Sequence, residues 1–227
     1  MPLTRAEIIT AAIDATELGE LESLTMRSLA EQLGVTAMAL YAHVANKDEI
    51  LDEIINQVLA RDALPLPHRH ADCRQWTIDS AEHLRGVLAR YPALLDRYCR
   101  RPVGVPAALT RMETALEVLR RAGFDDTTCV ATYATIHTYT LGFAALEIAR
   151  TMLSERPITR RADQPLTEES PHYWPAVFAG LPPSEYPNLT RLTPDLATFT
   201  NHSQFHHGLL TILDGLDTQR STKLRDQ

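Results

Sequence analysis

Apolar residues along the chain recur at helical spacing, and the stretches that carry them are separated by glycine, proline and capping residues. "TRAEIITAAIDATELG", residues 4–19, has apolar positions at Ile8, Ala12, Ala15 and Leu18, and Gly19 closes it. Thr4 followed by Glu7 fits a capping box that opens this first helix. A second helix is expected over about 25–33, Gly34 turns the chain, and a third runs from Thr36 to about His43. Asn46, with Glu49 three positions on, caps a fourth helix reaching about Arg61, striped with Ile50, Leu51, Ile54, Ile55, Val58 and Leu59. Further helices are expected near 72–90, 93–100, 105–122, 125–154 and 202–217. No stretch sustains the two-residue alternation of a half-buried strand, so the predicted fold class is all-α.

The segment over 125–154 carries two apolar stripes. One is Val130, Ala134, His137, Leu141, Ala145, Ile148 and Met152; the other is Tyr133, Ile136, Thr140, Phe143 and Glu147. A helix covered on both sides is central, packed on its own core and on a partner subunit. The last helix has Phe205, Leu209, Ile212, Leu213 and Leu216 on one face. "LPLPHRH" at 64–70 cannot continue a helix and marks a boundary between a small head and a larger body. The expected organisation is a head over 1–46, a connecting helix over 47–63 and a body over 64–227. Residues 155–195 are proline-rich, include Tyr173, Trp174 and Phe178, and are expected to form a mobile lid or loop.

Composition narrows the class. Of the 227 residues, 44% are hydrophobic, ample for a core, yet no apolar run is long enough to span a membrane. The start, "MPLTRAEII", lacks the basic and apolar segments of a signal peptide, and a cytoplasmic location is expected. Cys73, Cys99 and Cys129 are odd in number and widely spaced, which predicts reduced core thiols and neither a disulfide framework nor a zinc site. The formal net charge is −7, and all of it falls in residues 1–64, where four cations face eleven acids. Within 24–47 the only ions are Arg27, Glu31 and Lys47, a local balance of +1. An acidic protein is repelled by DNA at long range, but this stretch is nearly neutral with cations at its ends.

That stretch, "LTMRSLAEQLGVTAMALYAHVANKDEI", meets the demands of a helix-turn-helix. Ala30 is the small contact between helices, Gly34 the turn, and Leu29, Leu33, Val35, Leu40 and Val44 the anchors. The second helix of such a motif lies in the major groove with its N-terminal residues toward base edges. The run through "LDEI" closely resembles the DNA-binding head of the TetR family of bacterial transcriptional repressors, the Tet repressor branch in particular. The resemblance rests on "T-x-R-x-LA-x-x-LGV", "LY-x-HV" and "NK". It implies that Thr25, Arg27, Tyr41, His43 and Lys47 contact the DNA backbone and that Thr36, Ala37, Met38 and Ala39 face bases. The residue chemistry agrees: Arg27 and Lys47 bracket the groove-entering helix, and Tyr41 offers a hydroxyl to phosphate. Tyr41 as a core aromatic and His43 as a packing residue remain alternatives. The base-facing set has no Arg, Asn or Gln, which favours van der Waals contact with thymine methyl groups.

The body resembles the same branch through "TYTLGFAALE" at 138–147 and "FHHGLLTILDGLD" at 205–217. This implies a homodimer built on these two helices, an inverted-repeat operator in double-stranded DNA, and a small-molecule inducer bound inside the body. The metal-chelating histidine of that branch has no counterpart, because the residues before "RRP" read "LLDRYC". No metal or cofactor is expected. Trp76, Tyr133, His137, Phe143 and Trp174 form an aromatic set suited to an apolar ligand, with a packing role as the alternative for each. His202 and His206 share a helical face without a third ligand. Enzyme signatures such as G-x-S-x-G, a phosphate loop or H-E-x-x-H are missing, so no catalytic residue is assigned. The favoured function is a ligand-responsive dimeric repressor. The alternatives are a DNA-binding regulator without an inducer, an activator, and a helical ligand-binding protein or enzyme.

Overall fold

A computed structural model describes residues 3–17, 24–61, 73–100, 104–155, 177–178, 180–196 and 201–225. Its elements are α1 (Arg5–Glu17), α2 (Met26–Gln32), α3 (Ala37–Tyr41), α4 (Lys47–Arg61), α5 (Cys73–Arg90), a 3-10 turn (Pro92–Leu94), α6 (Leu95–Arg100), α7 (Pro106–Arg121), α8 (Asp126–Glu155), α9 (Pro187–Leu196) and α10 (His202–Arg225). Among the described residues there is no strand, and the all-α expectation holds.

The head is three helices closed by a fourth. Ile8, Ile9, Ala12, Ile13 and Ala15 of α1 are buried with Leu29 and Ala30 of α2, Leu40 of α3, Val44, and Ile50 and Ile54 of α4. Every helix start in this head has a chemical reason. Thr4 donates its backbone N–H to Glu7 Oε2 at 2.8 Å, and Thr4 Oγ1 accepts from the Glu7 N–H at 3.3 Å, the capping box read from the sequence. Thr25 caps α2 through Ser28, and Asn46 Oδ1 accepts the Glu49 N–H at 2.9 Å to start α4. α2 ends in a Schellman arrangement: the Gly34 N–H reaches the Glu31 carbonyl and the Val35 N–H reaches the Ala30 carbonyl. This requires Gly34 at φ +67°, the left-handed region.

Three departures from the sequence reading have physical causes. α3 ends at Tyr41, two residues before His43, because Val44 is buried and draws the chain toward Asn46, where α4 starts. Residues 187–195, expected as part of a loop, belong to helix α9. Pro187 occupies its first position, where no backbone N–H is needed, so that proline initiates a helix instead of breaking it. α10 runs on to Arg225, past the expected end near 217, through a polar stretch that has no apolar stripe to mark it. Residues 64–70 and Trp174 lie outside the described residues.

By internal packing the chain forms two compact units, residues 1–141 and 142–227. In the first, α4 packs against α1 on one side and against α5, α6 and α7 on the other. In the second, Phe143, Ala144 and Ile148 of α8 are buried with Phe205, Leu209 and Leu213 of α10. Phe143 meets Phe205 edge-on, with ring centroids 5.1 Å apart. The buried face of α8 includes Cys129, Thr132, Ile136, Thr140 and Phe143, while Val130 and Leu146 are more than half exposed. The first apolar stripe is therefore left exposed at Val130 among the described residues. Of the three cysteines expected as core thiols, only Cys129 is buried; Cys73 is half-buried and Cys99 exposed.

Replacing Gly34 with alanine is expected to cost about 1–2 kcal/mol, since an L side chain is strained at that φ even though no atom obstructs it. Urea denaturation of the variant against the parent protein measures this; an unchanged midpoint contradicts the turn geometry.

Candidate DNA-reading surface and ligand cavity

The first site is the outer surface of α2, α3 and the start of α4. Met38 is 79% exposed and Tyr41 52%, which excludes the core reading of Tyr41. Thr25, Arg27, Thr36 and His43 are exposed, and Ala37, Ala39 and Lys47 are half-buried. Two of these residues have structural duties as well. Thr25 caps α2, and Thr36 Oγ1 accepts the Ala39 N–H at 3.3 Å at the start of α3. A hydroxyl that accepts in a cap still has its proton to donate, so Thr36 can hydrogen-bond an anion without losing its cap. Arg27 is paired with Glu31 at 3.0 Å, with 88% of its own side chain exposed. Exposed pairs of this kind contribute little, so exchange of Glu31 for a phosphate costs little.

Arg5 has a role that the sequence did not reveal. It pairs with Glu49, lies 3.9 Å from Glu53, and donates to the His43 carbonyl at 3.2 Å. It thereby fastens α1 to the turn between α3 and α4. The Ala45 N–H and then Arg5 hold the Glu49 carboxyl below its ordinary range. His43 thus contributes its backbone to this fastening while its side chain remains exposed.

The second site lies in the same unit, behind α4. A cavity of about 520 Å³, counting its open mouth, is lined by Trp76, Thr77, Ser80, Tyr98, Arg111, Tyr133, Ile136, His137 and Thr140 among others. A second space of about 550 Å³ is lined by Leu59, Ala60, Trp76, Ser80, Ala107, Thr110, Arg111 and Thr114. Trp76, Ser80 and Arg111 belong to both walls, and the second space reaches α4 at Leu59 and Ala60. Of the aromatic set read from the sequence, the structure gathers Trp76, Tyr133 and His137 around the first cavity. Phe143 lies elsewhere, against Phe205.

The Tyr133 and His137 rings are stacked at 5.3 Å and 16°, and Tyr98 is tilted against His137 at 5.9 Å. Burial pushes the Tyr98 hydroxyl up to about 12, and burial followed by the charge of Arg111 lowers His137 below 6.5. His137 is therefore a neutral imidazole at neutral pH. Its Nε2 is buried and has no hydrogen-bond partner. Sequence reasoning missed Tyr98 and Arg111. The available signal for Arg111 was a single charge in register with Ala108 and Ala115 on the inward face of α7. Among the described residues no group of three metal-ligating side chains occurs; His202 and His206 adjoin one another with ring centroids 6.3 Å apart.

α4 connects the two sites. Arg97 of α6 donates from Nε and Nη2 to the two carboxylate oxygens of Asp52 at 2.8 Å each, and pairs with Asp48 at 3.0 Å. Asn56 Oδ1 accepts the Ala107 N–H in the first turn of α7 at 2.9 Å. The helix bearing Lys47 is thus held by the helices that carry Tyr98 and Arg111.

A short-turned helix pair with an exposed second helix, joined to a helical body with a cavity, defines a helix-turn-helix transcription regulator. The family model described as "Bacterial regulatory proteins, tetR family" matches residues 8–54, and that described as "Tetracyclin repressor-like, C-terminal domain" matches 66–220. The chain belongs to the TetR family, in its Tet repressor-like branch, and is a transcriptional repressor rather than an enzyme. It is 30% identical to the HTH-type transcriptional repressor DrrR1 of Streptomyces coeruleorubidus over 95% of this chain and 77% of that protein. The structure of ActR from Streptomyces coelicolor in complex with actinorhodin is similar at a TM-score of 0.76 and 26% identity, covering 95% of each chain. BioQ with its natural double-stranded DNA operator is similar at a TM-score of 0.57 and 28% identity, over 65% of this chain and 89% of that one. No helix among the described residues is long and apolar enough to cross a membrane.

The depressed His137 predicts a pH effect with a definite sign. Below about pH 6.5 the unfolded chain takes up a proton that folded His137 refuses, so stability falls as pH is lowered through that window. His137→Gln is expected to flatten the pH dependence of unfolding between pH 7 and about 5. An unaltered slope contradicts the burial of a neutral imidazole.

Proposed function

We propose that the protein is a homodimeric repressor that reads an inverted-repeat operator with α3 and is released from it by a small, largely apolar aromatic ligand bound in the cavity behind α4. The head over 1–46 reads DNA, 47–63 connects, and 64–227 binds ligand and partner. The observation that carries this reading is the attachment of α4: Arg97 holds Asp48 and Asp52, and Lys47 begins the same helix. A shift of α6 or α7 around a ligand displaces α4 and alters the separation of the two heads. By the reciprocity of linkage, a ligand that binds the DNA-incompetent spacing more tightly must lower DNA affinity. ActR in complex with actinorhodin and BioQ with its operator support both halves of this reading by analogy.

Thr25, Arg27, Tyr41, His43 and Lys47 are assigned to the phosphate backbone, and Thr36, Ala37, Met38 and Ala39 to the bases. Thr36 caps α3 and keeps its hydroxyl proton available. Met38, the most exposed large apolar side chain among the described residues, makes van der Waals contact with thymine methyls. Trp76, Tyr133 and His137 are assigned to the ligand; Trp174 belongs to the same proposed aromatic set, and Phe143 contributes to it through its packing on Phe205. The partner subunit covers the exposed apolar side chains of α8 and α9, including Val130, Leu146 and Leu189. α9 is amphipathic yet has no buried residue, the condition of a helix awaiting a partner surface. Like other DNA-binding regulators of its kind, it acts in the cytoplasm.

Two experiments check this. Lys47→Ala is expected to weaken binding to operator and random DNA alike, by roughly tenfold, because a phosphate contact is read on any sequence. Met38→Ala is expected to change base preference instead. In the same gel-shift or anisotropy assay, a screen of aromatic small molecules finds at least one that releases operator and quenches Trp76 over one concentration range. If none does, an inducer-free regulator replaces this reading.

Leu146→Glu tests the dimer. Leu146 is 53% exposed in the single chain, so a charge there leaves the fold intact but is buried on dimerisation. Sedimentation is expected to show a dimer for the parent at low micromolar concentration and a folded monomer for the variant. A monomeric parent, or a variant that dimerises equally well, rejects the assignment.

A further inference from the structure

Arg111 is the one charge among the described cavity-lining residues. Its Nη2 donates to the Ser80 carbonyl at 3.1 Å and lies 3.5 Å from Ser80 Oγ. The other guanidinium donors have no protein acceptor among the described residues, and no carboxylate pairs with it there. Its charge is felt by Tyr98, Tyr133 and His137. A guanidinium stays charged even when burial lowers its affinity for the proton, as it does here. It stands in the wall shared by both spaces, between the stacked Tyr133–His137 pair and the end of α4.

This arrangement discriminates among ligands. A neutral apolar molecule that fills the cavity strips water from Arg111 and offers nothing in return, and an uncompensated buried charge is costly. A ligand with an anionic oxygen group replaces that water with a charge-assisted, two-point hydrogen bond. The rest of the wall fits planar rings: Trp76 and the Tyr133 ring stacked on His137 all line the cavity. The His137 Nε2, buried without a partner, supplies a further hydrogen bond to a polar substituent.

We propose that the inducer is an aromatic carboxylic acid, its carboxylate bound by Arg111 at the partition between the two spaces and its rings held by Trp76 and Tyr133. This rests on the cavity being the inducer site and specifies the chemistry it selects. It also places the anion where it adjoins α4: the second space runs from Arg111 to Leu59 and Ala60. Anion capture therefore occurs next to the helix whose displacement releases DNA.

The test uses matched pairs of probes on the full chain: 2-naphthoate against 2-naphthamide, and anthraquinone-2-carboxylate against its carboxamide. Binding is followed by calorimetry and by Trp76 quenching. In at least one pair the acid is expected to bind roughly 10- to 100-fold more tightly than the amide of the same shape. Arg111→Met is expected to reduce that ratio to near one, and Arg111→Lys to retain part of it. Thermal melts establish that the variants are folded, and the acid-to-amide ratio of the parent protein needs no variant. Equal binding of acid and amide, or an acid preference that survives Arg111→Met, overturns the acid proposal and leaves the cavity as the inducer site. Failure of every probe to bind overturns the cavity reading and the proposal with it.

Discussion

The structure depends on the double burial of α4. Its Ile50 and Ile54 complete the core of the head, while Ile55, Val58 and Leu59 face Val87, Leu88, Tyr91, Leu94 and Tyr98 of the following helices. A helix buried on two faces cannot tilt without repacking both, and packed interiors respond to such demands by switching between discrete arrangements. The Arg97 fork adds direction to this constraint. It joins α6 to the N-terminal half of α4 with two charge-assisted bonds to one carboxylate, a geometry a lysine could not reproduce.

The same ion pairs resolve the electrostatic difficulty posed by an acidic DNA-binding chain. Asp48, Glu49, Asp52 and Glu53 form a dense cluster of negative charge directly after the reading surface. In the folded chain Arg97 takes Asp48 and Asp52, and Arg5 takes Glu49 and Glu53. The acids nearest Lys47 are thus engaged internally, and the first of them also lie at the start of α4, where negative charge is favoured by the helix dipole. Formal charge summed over a segment overstates the field a phosphate meets, because the partners come from residues far away in sequence.

The two sites use opposite chemistry. The candidate DNA-reading surface is open to solvent and nearly neutral, with small base-facing side chains around Met38 and hydroxyl groups that cap helices and still carry a proton to donate. The cavity is largely aromatic, and among its described lining residues one guanidinium, without a carboxylate partner, stands near a histidine whose Nε2 is buried. In the proposed reading, specificity at the first site comes from shape and methyl contact, and at the second from a charge that is costly to leave alone. Each site holds its polar groups on helices fixed by the α4 packing, which is why a change at one can be felt at the other.

Local rules made the head legible. Thr4 with Glu7, Asn46 with Glu49, and Gly34 at a left-handed turn each act within a few residues, so their pattern carries over directly into the observed caps. The helical stripes of α4 and α10 were legible for the same reason. What the sequence could not supply was pairing across distance. Arg5 with Glu49 and Arg97 with Asp52 are separated by more than forty residues, and nothing local marks them as partners. The cavity is likewise a product of four helices converging: Trp76, Tyr133 and His137 were recognisable as an aromatic set, but Arg111 and Tyr98 joined it only when α6 and α7 were placed. Phe143 shares the helix of His137, yet packing turned it toward Phe205. Prolines misled at α9 because a proline at a first helical turn and a proline in a loop look alike until the chain before it has a direction. Periodicity and capping are properties of neighbours along the chain and were determined by the sequence alone. The identity of the charge that lines the cavity, and of the pairs that hold α4, was decided by the tertiary fold, because only packing brings distant residues within reach of one another.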